Sequence, residues 1–118
     1  MPATRIETRR GWIGDRRADL IEAVQRALLA GLRIPEHDRC ISLAEFDHDA
    51  MIVPPGKGAC YMVIEIKLFS GRSIDAKRRL YAVLCEELAA FDIPAADIKT
   101  VLIESPPENW GIRGLPAS

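Results

Sequence analysis

Residues 61–73 read YMVIEIKLFSGRS, and this stretch decides the fold class. Ile64, Ile66 and Leu68 alternate with Glu65, Lys67 and Phe69, the two-residue period of a strand with one buried face. The strand is expected over Tyr61 to Phe69. Ser70-Gly71-Arg72 then breaks the alternation as a turn, and Ser73 is suited to cap a helix. Beyond it Leu80, Leu84 and Leu88 share one helical face, so a helix is expected to run to about Phe91. Pro94 follows, and Ile98 to Glu104 is again strand-like. A strand, a helix and a second strand in this order imply a parallel pair joined by a right-handed crossover.

The N-terminal half repeats the plan. Ala3 to Thr8 is a strand candidate, Arg10 to Gly14 a turn, and Asp15 the expected N-cap of a helix reaching about Leu32. Leu20, Val24, Leu28 and Leu32 form its apolar stripe, Gly31 lies near its end, and Pro35 stops it. Arg39 to Phe46 is then expected as a strand. Ile34-Pro35-Glu36-His37-Asp38 resembles Ile93-Pro94-Ala95-Ala96-Asp97 at an offset of 59 residues. The same offset sets Leu43 on Leu102, Glu45 on Glu104, Val24 on Val83 and Pro2 on Tyr61.

One domain over residues 1–118 is therefore expected, with an internal repeat of roughly 2–58 and 61–118. Residues 47–58, with Pro54-Pro55-Gly56, read as the loop between halves, and the tail from Pro106 has room for one short hairpin. The expected architecture is α+β: duplicated β-α-β units, a four-stranded mixed sheet and two helices on one face. Strands rich in Ile, Val and Leu would leave the other face as an apolar patch with open edges, so oligomerisation is expected.

Composition narrows the function classes. The 118 residues are 48% hydrophobic and 28% charged, as in a globular chain. A net charge of -1 without a long basic run argues against nucleic acid. No apolar run approaches a membrane span and the first ten residues lack a signal-peptide core, so a cytoplasmic protein is expected. Cys40, Cys60 and Cys85 have neither metal nor redox spacing and read as reduced thiols. His37, Cys40 and His48 match no standard zinc arrangement, so no metal is expected.

Pro2 carries the most distinctive chemistry. A small residue after Met1 permits removal of the initiator and would leave a secondary amine in a rigid ring. Burial or a neighbouring cation disfavours the charged form of such an amine, and a near-neutral amine suits proton transfer.

Met-Pro, the doubled strand-helix-strand plan and the chain length together resemble the tautomerase superfamily. That group includes 4-oxalocrotonate tautomerase, macrophage migration inhibitory factor and malonate semialdehyde decarboxylase. The resemblance is carried by Pro2, Ile34-Pro35 with Asp38-Arg39, Gly71-Arg72-Ser73, and Glu108 through Gly114. It is nearest to the malonate semialdehyde decarboxylase group. It implies a trimer of paired β-α-β units, with the pocket around the amino-terminal proline. It also implies that Asp38 and Arg72 act with Pro2 and that Trp110 walls the pocket. The chain departs from the decarboxylase pattern at Ser70, where that enzyme has a second arginine, and at Ile112, where it has an aromatic residue. The first departure weakens the case for malonate-type decarboxylation.

Each residue also has a plainer role open to it. Arg72 at a strand-to-helix turn can clamp a carboxylate by two hydrogen bonds or remain solvated. Asp38 can orient a water or hydroxyl, or bond local amides as a turn aspartate. Trp110 can wall the pocket or anchor a subunit interface. Arg113, beside Ile112 and between two glycines, can reach a substrate carboxylate. Cys60 is expected to be packed rather than nucleophilic.

The leading expectation is a cofactor-independent tautomerase or isomerase acting on a small carboxylate-bearing keto acid or enol. In it Pro2, Arg72 and Asp38 are catalytic, while Arg113, Trp110, Ile112 and Ser70 bind substrate. A decarboxylase or hydratase on the same scaffold and a non-catalytic oligomeric binding protein remain alternatives.

Overall fold

The computed structural model describes residues 2–118, so the expected removal of Met1 lies outside the described residues. Four strands form the main sheet: β1 (Ala3–Arg9), β2 (Ile41–Phe46), β3 (Met62–Phe69) and β4 (Ile98–Ser105). Helix α1 (Arg17–Leu32) joins β1 to β2, and α2 (Ile74–Leu88) joins β3 to β4. The strand order is β2-β1-β3-β4. β1 pairs in parallel with β2, and β3 with β4, while β1 and β3 run antiparallel at the centre. The α+β class and the mixed sheet are thus as expected from the sequence.

The core lies between the helices and one sheet face. Ile6, Ile64, Ile66 and Leu68 from the sheet pack in one cluster with Leu20, Val24 and Leu28 of α1 and Leu80, Leu84 and Leu88 of α2. Alternate strand residues point away from it, as the pleat requires. The helices approach closely at Gly31, where an added Cβ would lie 2.7 Å from the Leu80 Cα.

Several boundaries differ from expectation for physical reasons. Asp15 does not cap α1: the cap is Arg16, with no side-chain cap bond. The Arg16 guanidinium instead bonds the carbonyls of Trp12 and Ile13 at 3.0 and 3.1 Å. Ser73 does cap α2, accepting a hydrogen bond from the Ala76 N–H at 3.1 Å. α2 ends at Leu88, and the expected last turn is a 3-10 segment, Ala89–Phe91. β2 starts at Ile41 rather than Arg39. The Thr4 N–H, near the start of β1, already bonds the Cys40 carbonyl, so little of β1 remains to pair with earlier residues.

The offset between the two β-α-β units is also not uniform. Thr4, Ile6 and Thr8 face the core, and an offset of 59 would match them to the outward residues Val63, Glu65 and Lys67. An offset of 60 matches core to core instead: Ile6 to Ile66, and Leu20, Val24 and Leu28 to Leu80, Leu84 and Leu88. It also matches Gly11 to Gly71, both with φ near +115°. A one-residue slip reverses every strand side chain, which makes the choice unambiguous. The 59-residue offset holds for the second strands, where Leu43 and Leu102 both pack against the core.

The open sheet face is not the apolar patch expected. Arg5, Glu7, Glu65, Lys67 and Lys99 lie on it among Ala3 and Val63. Arg5 sits opposite Glu65 in register. Exposed apolar surface on this face concentrates on β4, at Val101 (40% exposed) and Ile103 (41%).

Candidate active site

Chain direction brings the predicted site residues to one end of the sheet. β1 and β2 begin there, β3 and β4 end there, α1 arrives there and α2 leaves. Pro2, Asp38, Ser70, Arg72 and the tail after Ser105 therefore share that end, although 70 positions separate Pro2 from Arg72. Pro2 itself is buried.

The tail closes over this end. After the 3-10 turn Pro107–Asn109, a small hairpin forms from β5 (Gly111–Ile112) and β6 (Leu115–Pro116). Its two central residues, Arg113 and Gly114, have φ of +57° and +78°. Such a pair of positive φ angles matches the right-handed twist of a two-residue hairpin, and is uncommon for a residue with a Cβ. Trp110 fastens the hairpin. Its indole N–H donates to Ser105 Oγ at 2.9 Å, and its ring meets Phe69 edge-on with centroids 5.3 Å apart. The Ala117 N–H returns to the Trp110 carbonyl at 2.9 Å.

Between hairpin and sheet lies an open cleft of about 470 Å³. Asp38 and Arg113 are its charged lining, and Phe69, Ile112, Leu115 and Pro116 its apolar lining. This volume suits a small organic molecule. One anionic and one cationic side chain against an apolar wall can bind a carboxylate at Arg113 and a hydroxyl or water at Asp38.

Asp38 and Asp97 occupy matching turns, yet they are used differently. Each N–H closes a turn onto the carbonyl of the preceding Pro35 or Pro94. The Asp97 carboxylate is buried and accepts from the Gly58 N–H at 3.2 Å. Asp38 instead lines the cleft.

Other predicted residues stand outside the lining. The Arg72 guanidinium, half-buried, donates through Nη1 to the Leu32 carbonyl at the end of α1. Arg79 adds a bond to the Gly31 carbonyl at 3.1 Å. The last turn of α1 has no basic residue of its own, so these two cations from the second unit complement its dipole. Ser70 is exposed, and its N–H extends the β3–β4 ladder to the Ser105 carbonyl. Trp110 supports the cleft from behind, through Phe69 and Ser105. The cleft thus brings together Asp38, Ile112 and Arg113, and leaves Pro2, Ser70, Arg72 and Trp110 around it.

Phe69, Leu115 and Pro116 were not singled out from the sequence. Phe69 did carry a signal, since it breaks the charged series Glu65, Lys67 on the outward face of β3. Leu115 and Pro116 carried none, because hairpin closure alone brings them back to Phe69.

The thiols are poised away from this chemistry. Burial pushes the Cys60 thiol up, the Asp97 charge adds to this, and Arg16 opposes it. Burial likewise raises Cys85. Neither lines the cleft. Among the described residues no helix is long and apolar enough to cross a membrane.

Known proteins share this fold. A family profile described as tautomerase enzyme matches residues 38–113, a span that begins and ends on the cleft residues Asp38 and Arg113. A malonate semialdehyde decarboxylase inhibited by 3-bromopropiolate is 29% identical, with a TM-score of 0.75 over 92% of this chain and 86% of that one. A fused 4-OT asymmetric trimer is 25% identical, with a TM-score of 0.84 over 98% of this chain and 95% of that one. A member of the cis-3-chloroacrylic acid dehalogenase family shares the fold at 20% identity, with a TM-score of 0.78 over 97% and 83%. By the profile match and the shared β-α-β architecture, the chain belongs to the tautomerase superfamily.

Proposed function

We propose that the protein is a cofactor-independent tautomerase that moves a proton between the carbon and oxygen of a small keto acid or its enol. In this reading Met1 is removed and the Pro2 amine is the acid-base group. The observation that carries it is the cleft pairing Asp38 with Arg113 at the sheet end where Pro2 leads into β1. Arg113 binds the substrate carboxylate. Asp38 accepts a hydrogen bond from the substrate hydroxyl or a water. The free Pro2 nitrogen takes the enol O–H proton and, as its conjugate acid, delivers a proton to the neighbouring carbon, leaving the ketone. Arg72 uses Nη1 on Leu32, and its remaining N–H groups serve charge building on the oxygen.

Pro2→Ala tests this directly. With initiator removal verified by intact mass, the variant should keep its assembly and lose phenylenolpyruvate tautomerisation. Turnover equal to the parent would overturn the role of Pro2. The proton transfer needs a neutral amine, so kcat/KM should rise with pH through the Pro2 pKa and then level.

A second reading is decarboxylation or hydration on the same scaffold, favoured by the 29% identity to a malonate semialdehyde decarboxylase. Proton NMR of 3-oxopropanoate incubations separates the two, because acetaldehyde appears only if carbon dioxide is lost. For either reaction we infer a homotrimer, in line with the trimeric fused 4-OT relative.

A further inference from the structure

We propose that Gln25, on the core side of α1, is a positioning residue that sets the place of Asp38 in the cleft. The inference rests on the reading of the cleft as the substrate site. Gln25 is only 2% exposed. Its side-chain N–H donates to the backbone carbonyl of Asp38 at 2.9 Å. A carbonyl only accepts, so the amide nitrogen must face it. One turn earlier on the same helix, the Glu22 carboxylate pairs with Arg39, the residue after Asp38. Two adjacent residues of the segment are thus clamped to two α1 side chains three positions apart, which share a face.

The burial of Gln25 is otherwise hard to account for. Its Oε1 is buried without a hydrogen-bond partner among the described residues. A buried, half-satisfied amide destabilises a fold relative to an apolar side chain of the same shape. The second unit shows that the architecture does not need it. The helix offset of 60 sets Cys85 in the matching place, and there the turn carboxylate, Asp97, is held by the Gly58 N–H instead. The polar anchor therefore stands in the unit whose turn aspartate lines the cleft.

Gln25→Met keeps length and removes both the donor and the unpaired oxygen. The expected signature is a Tm equal to or above that of the parent, together with faster amide hydrogen exchange confined to residues 36–40. Exchange in that segment unchanged from the parent would overturn the proposal, and this readout needs no substrate. Should Gln25→Met not fold, Gln25→Glu keeps the shape while placing an acceptor against the Asp38 carbonyl, and the same local loosening is expected. With phenylenolpyruvate, Gln25→Met should lower kcat/KM about fivefold, the factor for one neutral hydrogen bond. In an Asp38→Asn background it should have no further effect, because the group it positions is gone. Equal losses in both backgrounds would show that Gln25 does not act through Asp38. If Asp38→Asn alone leaves kcat/KM unchanged, the cleft reading fails, and this proposal with it. Loss with Asp38→Asn but none with Gln25→Met sinks this proposal and leaves that reading standing.

Discussion

Arg113 sits at φ +57°, a backbone state that costs a residue with a Cβ more than it costs glycine. The hairpin accepts that cost, and Arg113 lines the cleft in return. Arg113→Gly should relieve the backbone and remove the cation together. We expect an unchanged or slightly higher Tm with KM for a carboxylate substrate raised roughly thirtyfold, the scale of a charge-assisted hydrogen bond of about 2 kcal/mol. Steady-state kinetics beside a thermal melt reads both. Trp110 acts one step further back. Trp110→Phe keeps the edge-on contact with Phe69 and loses the bond to Ser105, so it should raise KM less than Trp110→Ala, which loses both. Among residues, Asp38 and Arg113 were legible in the sequence as site candidates, and both line the cleft. What Arg72 touches was not, because its partner is a carbonyl at the far end of the other unit's helix.

At the scale of elements, α1 and α2 illustrate two kinds of evidence. The α2 cap was legible because Ser73 bonds an amide three residues away, a purely local interaction. Ser73→Ala should cost about 1 kcal/mol, measurable as a lower urea midpoint with unchanged slope. The α1 start was misread because Asp15 has the right chemistry, but Arg16 is held by the carbonyls before it. Gly31 shows what a helix–helix crossing demands. It lies near the α1 end and admits the Leu80 backbone. Gly31→Ala should therefore destabilise by about 1–3 kcal/mol through overpacking, despite the better helix propensity of alanine. A stabilised variant would refute the close crossing.

For the whole molecule, the central antiparallel pair of two parallel units sends six element ends to one edge, and the cleft follows from that. The open face, with Arg5 opposite Glu65 and apolar Val101 and Ile103 on β4, is suited to a partner that matches charge as well as apolar surface. Val101→Lys combined with Ile103→Lys should shift the inferred trimer towards monomer in light scattering, and an unchanged mass would remove this face from the interface. Stability should also respond to alkaline pH. Burial raises the Cys60 and Cys85 thiols above the ordinary 9.0, so the unfolded chain releases those protons first. The contribution is intact below 9.0 and is lost as pH rises through the raised folded values. Urea midpoints at pH 8 and pH 10 should differ less for Cys60→Ala/Cys85→Ala than for the parent.

Alternation at 61–69, four-residue spacing along each helix and the Ile-Pro turns determined the two β-α-β units from sequence, because those signals arise from neighbours on one strand or helix. Tertiary structure decided the rest. The register between the units turns on a single residue, and only the pleat against a shared core shows which side chains face inward. Asp38 and Asp97 look alike in sequence. One lines a cleft and the other is spent on a loop, since the difference comes from what a distant segment places beside each: Gly58 for Asp97, and the returning hairpin for Asp38.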